Sequence, residues 1–256
     1  MTNEENMTFW DHLDVLRSDI IRIILVWLAF SALFFCFKEV MFDIVLAPKN
    51  SDFISYRLIG VEPFDIKLVN IGITEQFAIH VKTSMLFGLV GASPYVLYVL
   101  YRFIAPGLYA HERRYATRLV VAGYAMFIVG LLANYFIVFP LTVRFLATYS
   151  VSPDVGNMLS LQSYMDTLLT MSITFGIVFE IPVLSWLLAA FGLMNASWMR
   201  RYRKHAIVVI LVLAAVITPT SDAFTLFIVA LPIWMLYEAS ILIVKETNKN
   251  KHAEEI

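Results

Sequence analysis

The residues of this chain that could do chemistry are carboxylates in unusual positions. Glu180 stands in the middle of a long apolar run, in the segment Phe179-Glu180-Ile181-Pro182. An ionisable side chain at that depth in a membrane usually faces a partner or a wet cavity, and Pro182 would bend the helix beside it. We interpret Glu180 as a functional group. The alternative is a glutamate that is bonded or neutralised within the helix bundle.

Glu112 and Asp222 are acids outside the apolar runs. Glu112 lies in His111-Glu112-Arg113-Arg114, where its carboxylate either pairs with the adjacent arginines or accepts a partner's guanidinium in a bidentate pair. Asp222 follows Thr218-Pro219 and could either cap the next helix through its first-turn N–H groups or serve in transport. Glu238 lies near the end of its apolar run, where it can extend to the membrane interface, so we assign it no function.

The N-terminal segment presents a second acidic surface. Apolar residues recur at helical spacing at positions 9, 13, 16 and 20, while Asp11, Asp14 and Ser18 cluster on the opposite face. The pattern predicts an amphipathic helix lying on the membrane surface. Acidic residues are unusual beside an anionic inner leaflet, so this face either binds something cationic or is simply solvated.

Motifs that would indicate an enzyme or a metal site are missing from the sequence. It contains no HExxH, Walker A, G-x-S-x-G or CxxC motif, and its five histidines lack metal-ligand spacing. Cys36 is the single cysteine, so no intrachain disulfide can form. We therefore expect a protein that is not an enzyme and holds no metal or cofactor.

The elements that must position these residues are apolar helices. The chain is 60% hydrophobic and 15% charged, against about a half and a quarter in soluble domains. Its apolar runs are 20–37, 83–101, 119–143, 167–194, 206–217 and 223–244. The fifth run would reach only ~18 Å as a helix, so it is either a short span or half of a re-entrant hairpin. We predict an all-α polytopic membrane protein with six transmembrane helices, the last two short. Bends at internal prolines would give these helices the shape of a concave bundle.

The placement of lysine and arginine predicts the orientation of the helices. Thirteen of the 19 basic residues fall in the N-terminal region, in 102–118, in 195–205 or in the C-terminal tail. The positive-inside rule therefore places both termini in the cytoplasm. We divide the chain into a cytoplasmic amphipathic segment at 1–19, a transmembrane domain at 20–244 and a cytoplasmic polar tail at 245–256.

Six short motifs follow one another along nearly the whole chain. They are His12-Leu13 with Leu16-Arg17, Leu46-Ala47-Pro48, Phe103-Ile104-Ala105-Pro106-Gly107-Leu108-Tyr109 with His111-Glu112-Arg113-Arg114, Phe136-Ile137-Val138-Phe139-Pro140-Leu141, Phe179-Glu180-Ile181-Pro182-Val183, and Thr218-Pro219 with Asp222. In this order they resemble the TatC subunit of the twin-arginine protein translocase. The segment from Phe103 to Arg114 is the most specific of the six.

The resemblance implies a receptor that binds the twin-arginine signal peptides of folded cargo at its cytoplasmic face. It implies export of that cargo across the bacterial inner membrane, driven by the proton-motive force. It also implies an oligomeric complex with small single-span subunits of the TatA/TatB type, surrounded by membrane lipid and without nucleic acid. The rival interpretation from the residues alone is a secondary transporter with Glu180 as its intramembrane coupling site.

The resemblance also assigns roles to single residues. Glu112 would pair with the signal arginines, Phe103 and Pro106 would shape the loop that carries it, and Arg17 would contribute from the N-terminal motif. Positions that would matter for assembly or transport are Pro48, Glu180 and Asp222.

The chain departs from the family pattern at Val15, where a glutamate is usual. The nearby acids are Asp11, Asp14 and Asp19, and Asp19 replaces a residue that is usually basic. One helical step turns Asp14 by about 100° from Val15, whereas Asp11 and Asp19 lie only about 40° from its direction. The second arginine-binding acid stays open among these three. We slightly prefer Asp14, because it is adjacent to the expected position.

Overall fold

The computed structural model describes residues 9–60, 64, 66–104, 116–149, 152, 158–218 and 222–254, and most of these are helical. The helices are α1 (Phe9–Phe35), α2 (Lys38–Leu46), α3 (Ile54–Ile59), α4 (Glu75–Ile104), α5 (Ala116–Ala133), α6 (Phe139–Thr148), α7 (Leu161–Val178), α8 (Ile181–Ala190), α9 (Ala196–Arg201), α10 (Arg203–Ile217) and α11 (Ala223–Glu254). A 3₁₀ turn at Ala47–Lys49 follows α2, and a π-helical turn at Asn134–Val138 joins α5 to α6. Two short strands, β1 (Leu68–Val69) and β2 (Leu159–Ser160), pair in parallel and tie two loops together.

Five stretches of the described helices are long and apolar enough to cross a membrane. They are Leu13–Phe35, Glu75–Phe103, Leu119–Thr148, Leu161–Ala190 and Ala223–Lys249. The shorter α10, with 15 residues, completes the predicted six-helix arrangement. The sixth helix is not short, however, because α11 runs for 32 residues. No glycine or proline lies between 245 and 254, so the predicted polar tail prolongs this helix instead of ending it.

The N-terminal segment does not form a separate surface helix, and this prediction was wrong. α1 continues for 27 residues across the predicted boundary at residue 19. No glycine or proline lies between Phe9 and Phe35, so the backbone has no residue that would turn the chain at the membrane surface. The acidic turns of α1 therefore lead directly into the first span.

The first two long helices are antiparallel, and their contacts define the two ends of the bundle. Asp19, in the first half of α1, pairs with Arg102 in the last turn of α4. At the opposite end, the ring of Phe35 packs edge-on against Phe77 at the start of α4. We call the end with Asp19 and Arg102 the proximal end, and the end with Phe35 and Phe77 the distal end.

Close contact between α5 and α7 depends on glycine. A Cβ atom on Gly130 would lie 2.6 Å from the carbonyl oxygen of Phe175, and one on Gly176 would lie 2.6 Å from the ring of Phe127. Both distances are too short for any side chain, so the glycines let the two backbones approach each other. Phe139 is fully buried in the same core.

Tyrosine hydroxyls fasten the first distal loop to the spans. The Tyr56 hydroxyl in α3 donates to two carbonyl oxygens, that of Pro48 at 3.0 Å and that of Pro140 at 3.1 Å. Burial raises the pKa of this hydroxyl above its usual value. The Tyr164 hydroxyl donates to the carbonyl oxygen of Val45 at 3.0 Å. The segment around Pro48 is therefore held in place by tyrosine side chains from two parts of the chain, α3 and α7.

Candidate functional site

The proximal part of α1 holds the acids that the sequence singles out. Asp14 and Arg17 are exposed, Val15 is half-buried, and Asp19 is only 2% exposed. Asp19 follows Asp14 by five helical steps, a rotation of about 140°, so Asp14 faces outward when Asp19 faces α4. Asp11 belongs to α1, but its side chain lies outside the described part of the structure.

Asp19 is held by two arginines of its own chain. Its Oδ1 lies 3.3 Å from Nη1 of Arg22, one turn further along α1, and 3.7 Å from Nη2 of Arg102 in α4. The other carboxylate oxygen, Oδ2, is buried and has no hydrogen-bond partner among the described residues. Of the three acids near Val15, Asp19 is thus already engaged with guanidinium groups, whereas the side chain of Asp14 is exposed.

Phe103 follows Arg102 directly and is half-buried in the last turn of α4. The described part of α4 ends at Ile104. Pro106 and Glu112 belong to the segment 105–115 and lie outside the described residues. The pairing of Glu112 with signal arginines therefore stays a prediction.

Glu180 lies at an interruption of the fourth span. α7 ends at Val178 and α8 begins at Ile181, because Pro182 lacks the N–H group that would donate to the carbonyl oxygen of Val178. A Cβ atom on Gly123 of α5 would lie 3.2 Å from Oε2 of Glu180, so the carboxylate rests against a bare helix backbone. Its Oε1 is buried without a hydrogen-bond partner among the described residues. Within the described part of the chain, one oxygen of this intramembrane carboxylate is thus left unsatisfied.

Pro48 and Asp222 lie in the distal loops. Pro48 is buried in the 3₁₀ turn, and its carbonyl oxygen accepts the hydrogen bond from Tyr56. The Oδ1 atom of Asp222 accepts a hydrogen bond of 2.7 Å from the backbone N–H of Thr225, in the first turn of α11. The capping interpretation of Asp222 is confirmed. Both residues shape the distal loops and are remote from the acids at the proximal end.

Comparisons with known proteins identify the family. Residues 11–232 match the family described as the Sec-independent protein translocase protein TatC. The TatC proteins of Koribacter versatilis and Aquifex aeolicus are 35% and 32% identical, over 98% and 96% of this chain and 90% and 98% of their own lengths. The chain belongs to the TatC family. A crystal structure of the twin-arginine translocase receptor TatC superimposes with a TM-score of 0.78 at 33% identity, covering 92% of this chain and 99% of that one.

Membership of the TatC family confirms the resemblance drawn from the motifs. The chain is a membrane protein of the twin-arginine, Sec-independent protein transport system, and a component of transport with no catalytic role assigned to its family. Because the family is one of protein translocases, the chain is not assigned as a secondary transporter. Within the described residues, no group of three or more His, Cys, Asp or Glu side chains could hold a metal ion.

Two further ion pairs in this TatC-family chain join different helices and were not predicted. Glu238 forms an ion pair with Arg203, joining α11 to α10 near the proximal end. Lys82 in α4 and Asp166 in α7 form another, with Nζ 2.7 Å from Oδ1, in the distal half. The sequence held a signal for the second pair, because Lys82 and Asp166 each immediately precede an apolar run. Opposite charges at the same end of two spans are candidates to meet.

The Lys82–Asp166 pair borders a groove of about 320 Å³ between α1, α4 and α7. Its apolar walls come from Trp27, Met85, Leu86, Leu89, Leu169 and Ile173. The Trp27 indole N–H donates to the carbonyl oxygen of Met85 at 2.8 Å, which fastens α1 to α4 beside the groove.

Proposed function

We propose that this chain is the receptor subunit that binds twin-arginine signal peptides at the cytoplasmic face of the bacterial inner membrane. The observation that carries the proposal is the exposed carboxylate of Asp14, on the end of the bundle where α4 leads into the segment with Glu112. Two neighbouring guanidinium groups need planar acceptors, which carboxylates provide with bidentate geometry. Asp14 on α1 and Glu112 in the segment after α4 could each accept one arginine of the signal peptide.

The orientation of the proposed receptor follows from its charges. The basic residues concentrate in the N-terminal region, in 102–118, in 195–205 and in the tail, which favours cytoplasmic placement of the proximal end. Asp14 then lies at the level of the lipid head groups. A signal peptide bound there could lay its apolar stretch along the spans while its arginines pair with the acids.

Transport would involve partners that meet the chain within the membrane. We infer an oligomeric complex with small single-span subunits of the TatA/TatB type, with export driven by the proton-motive force. The unsatisfied Oε1 of Glu180 supports a role for this residue in assembly or transport, because an isolated carboxylate at membrane depth is costly unless a partner or water reaches it.

The test of the proposed function combines export in cells with binding in vitro. The gene should restore export of a folded twin-arginine reporter in bacteria that lack their own TatC. The purified protein should prefer a twin-arginine peptide to the same peptide with two lysines. Asp14→Asn should weaken this binding, whereas Val15→Glu, which restores the usual family residue, should strengthen it or leave it unchanged. Failure to restore export, together with equal binding of both peptides, would refute the proposal.

A further inference from the structure

Asp19 is the most completely buried charged residue among the described side chains. It lies on the α1 surface that faces α4, and both of its ionic partners are arginines whose side chains are about half exposed, at 53% for Arg22 and 54% for Arg102. Arg22 belongs to the same helix as Asp19. Among the described residues, the Arg102 contact is the one contact of Asp19 that joins two helices, and it lies one residue before Phe103.

We propose that Asp19 is a positioning residue that locks α1 to the end of α4 through Arg102, and thereby sets the spacing between Asp14 and Phe103. This inference rests on the proposed function, since it concerns how the signal-binding surface is held. Asp19 does not itself contact the signal peptide in this arrangement. Its carboxylate is turned away from the exposed face and engaged with guanidinium groups of the chain.

The geometry explains why the lock matters for recognition. A bidentate arginine–carboxylate pair tolerates little displacement, so an acid on α1 and an acid after α4 can hold adjacent arginines only if the two helices keep their spacing. The Trp27–Met85 hydrogen bond joins the same two helices further towards the distal end, so the Asp19–Arg102 ion pair is the described polar contact that lies beside Phe103. A buried carboxylate with two cationic neighbours also lowers the positive charge that an incoming dicationic peptide would meet.

The test measures peptide binding and helix spacing in the full-length protein purified in detergent. Asp19→Asn and Arg102→Gln should each weaken binding of the twin-arginine peptide by about tenfold, the scale of one lost charge-assisted contact, and should lower its preference over the Lys-Lys peptide. The double variant Asp19→Arg with Arg102→Asp restores opposite charges, so it should recover affinity to within about threefold of the parent.

A second readout separates positioning from simple stability. Spin labels at positions 14 and 103, in a Cys36→Ala background, should report one narrow distance in the parent. They should report a broader distribution in Asp19→Asn and a narrow one again in the charge-exchanged variant. Arg203→Gln is the matched control, because it breaks the Arg203–Glu238 ion pair near the same end of the bundle and should leave both the distance and the peptide affinity unchanged.

The outcomes distinguish this inference from the proposed function. If Asp19→Asn and Arg102→Gln change only the melting temperature, while affinity, selectivity and the distance stay as in the parent, Asp19 is structural and the inference is wrong. If the charge-exchanged variant recovers the distance but not the affinity, Asp19 contacts the signal directly and the inference is also wrong. A parent protein that does not distinguish the two peptides overturns the proposed function and this inference with it.

Discussion

Replacing Glu180 by methionine should make the protein more stable and less active. The substitution keeps a long side chain beside Gly123 but removes the buried Oε1 that has no partner among the described residues. An unsatisfied buried polar atom costs roughly 1–3 kcal/mol, and in a chain of this size 1 kcal/mol corresponds to about 2–4 °C in melting temperature. We therefore expect Glu180→Met to raise the melting temperature by about 2–12 °C while it lowers export.

Thermal unfolding in detergent, export of a folded reporter and crosslinking to the single-span subunits would measure the three consequences. Glu238→Met is the matched control, because Glu238 already has a partner in Arg203. Glu238→Met should not raise the melting temperature and should leave export intact. If Glu180→Met exported at the parental rate with unchanged crosslinks, the carboxylate would serve packing alone. A lower melting temperature would show that Oε1 has a hydrogen-bond partner in the folded protein in detergent, which would contradict our reasoning about its cost.

Four further predictions address topology, recognition and packing. Reporter tags at positions 2, 110, 200 and 250 should lie in the cytoplasm and tags at 60 and 155 outside it; a cytoplasmic tag at 155 would contradict the six-helix topology. Glu112→Gln should weaken twin-arginine peptide binding by roughly 1.5–3 kcal/mol and Lys-Lys binding by less, as measured by calorimetry. Gly130→Ala should destabilise the protein by about 1–3 kcal/mol, since the new methyl group would meet a backbone oxygen, whereas Gly123→Ala meets only the flexible end of a side chain. Tyr56→Phe should cost about 1–2 kcal/mol in thermal unfolding without changing peptide affinity, because it leaves two carbonyl oxygens without their donor.

The spans could be predicted from the sequence because a membrane requires a continuous apolar helix that is long enough to cross it. Length and apolarity locate a helix without knowledge of its neighbours. The same reasoning misjudged the ends of α1 and α11. An apolar run marks where a helix is immersed, whereas the helix itself continues until the backbone meets a residue that stops it. No such residue stands before Phe35 or between 245 and 254, so both helices extend past their apolar parts.

The distal loop contacts could not be predicted, because they pair residues far apart in the chain. Tyr56 joins Pro48 and Pro140, and nothing local to Tyr56 indicates that its hydroxyl would be buried between two carbonyl groups. A tyrosine in a loop is compatible with an interfacial side chain as much as with a buried one. The sequence marked Pro48 only through the family resemblance, and the structure adds that the backbone carbonyl oxygen at this position receives a buried hydrogen bond.

The choice among Asp11, Asp14 and Asp19 shows what a helical wheel can and cannot decide. The wheel correctly places Asp19 close to the direction of Val15, but it has no information about which other helix occupies that direction. In this chain α4 occupies it and brings Arg102 to Asp19. Of the two acids with the better angle, Asp19 is therefore buried in an internal ion pair and Asp11 has a side chain outside the described part, whereas Asp14, with the poorer angle, is exposed. An aspartate at position 19 in place of the usual basic residue then has a physical rationale, because it gives Arg102 in α4 a counter-charge from α1.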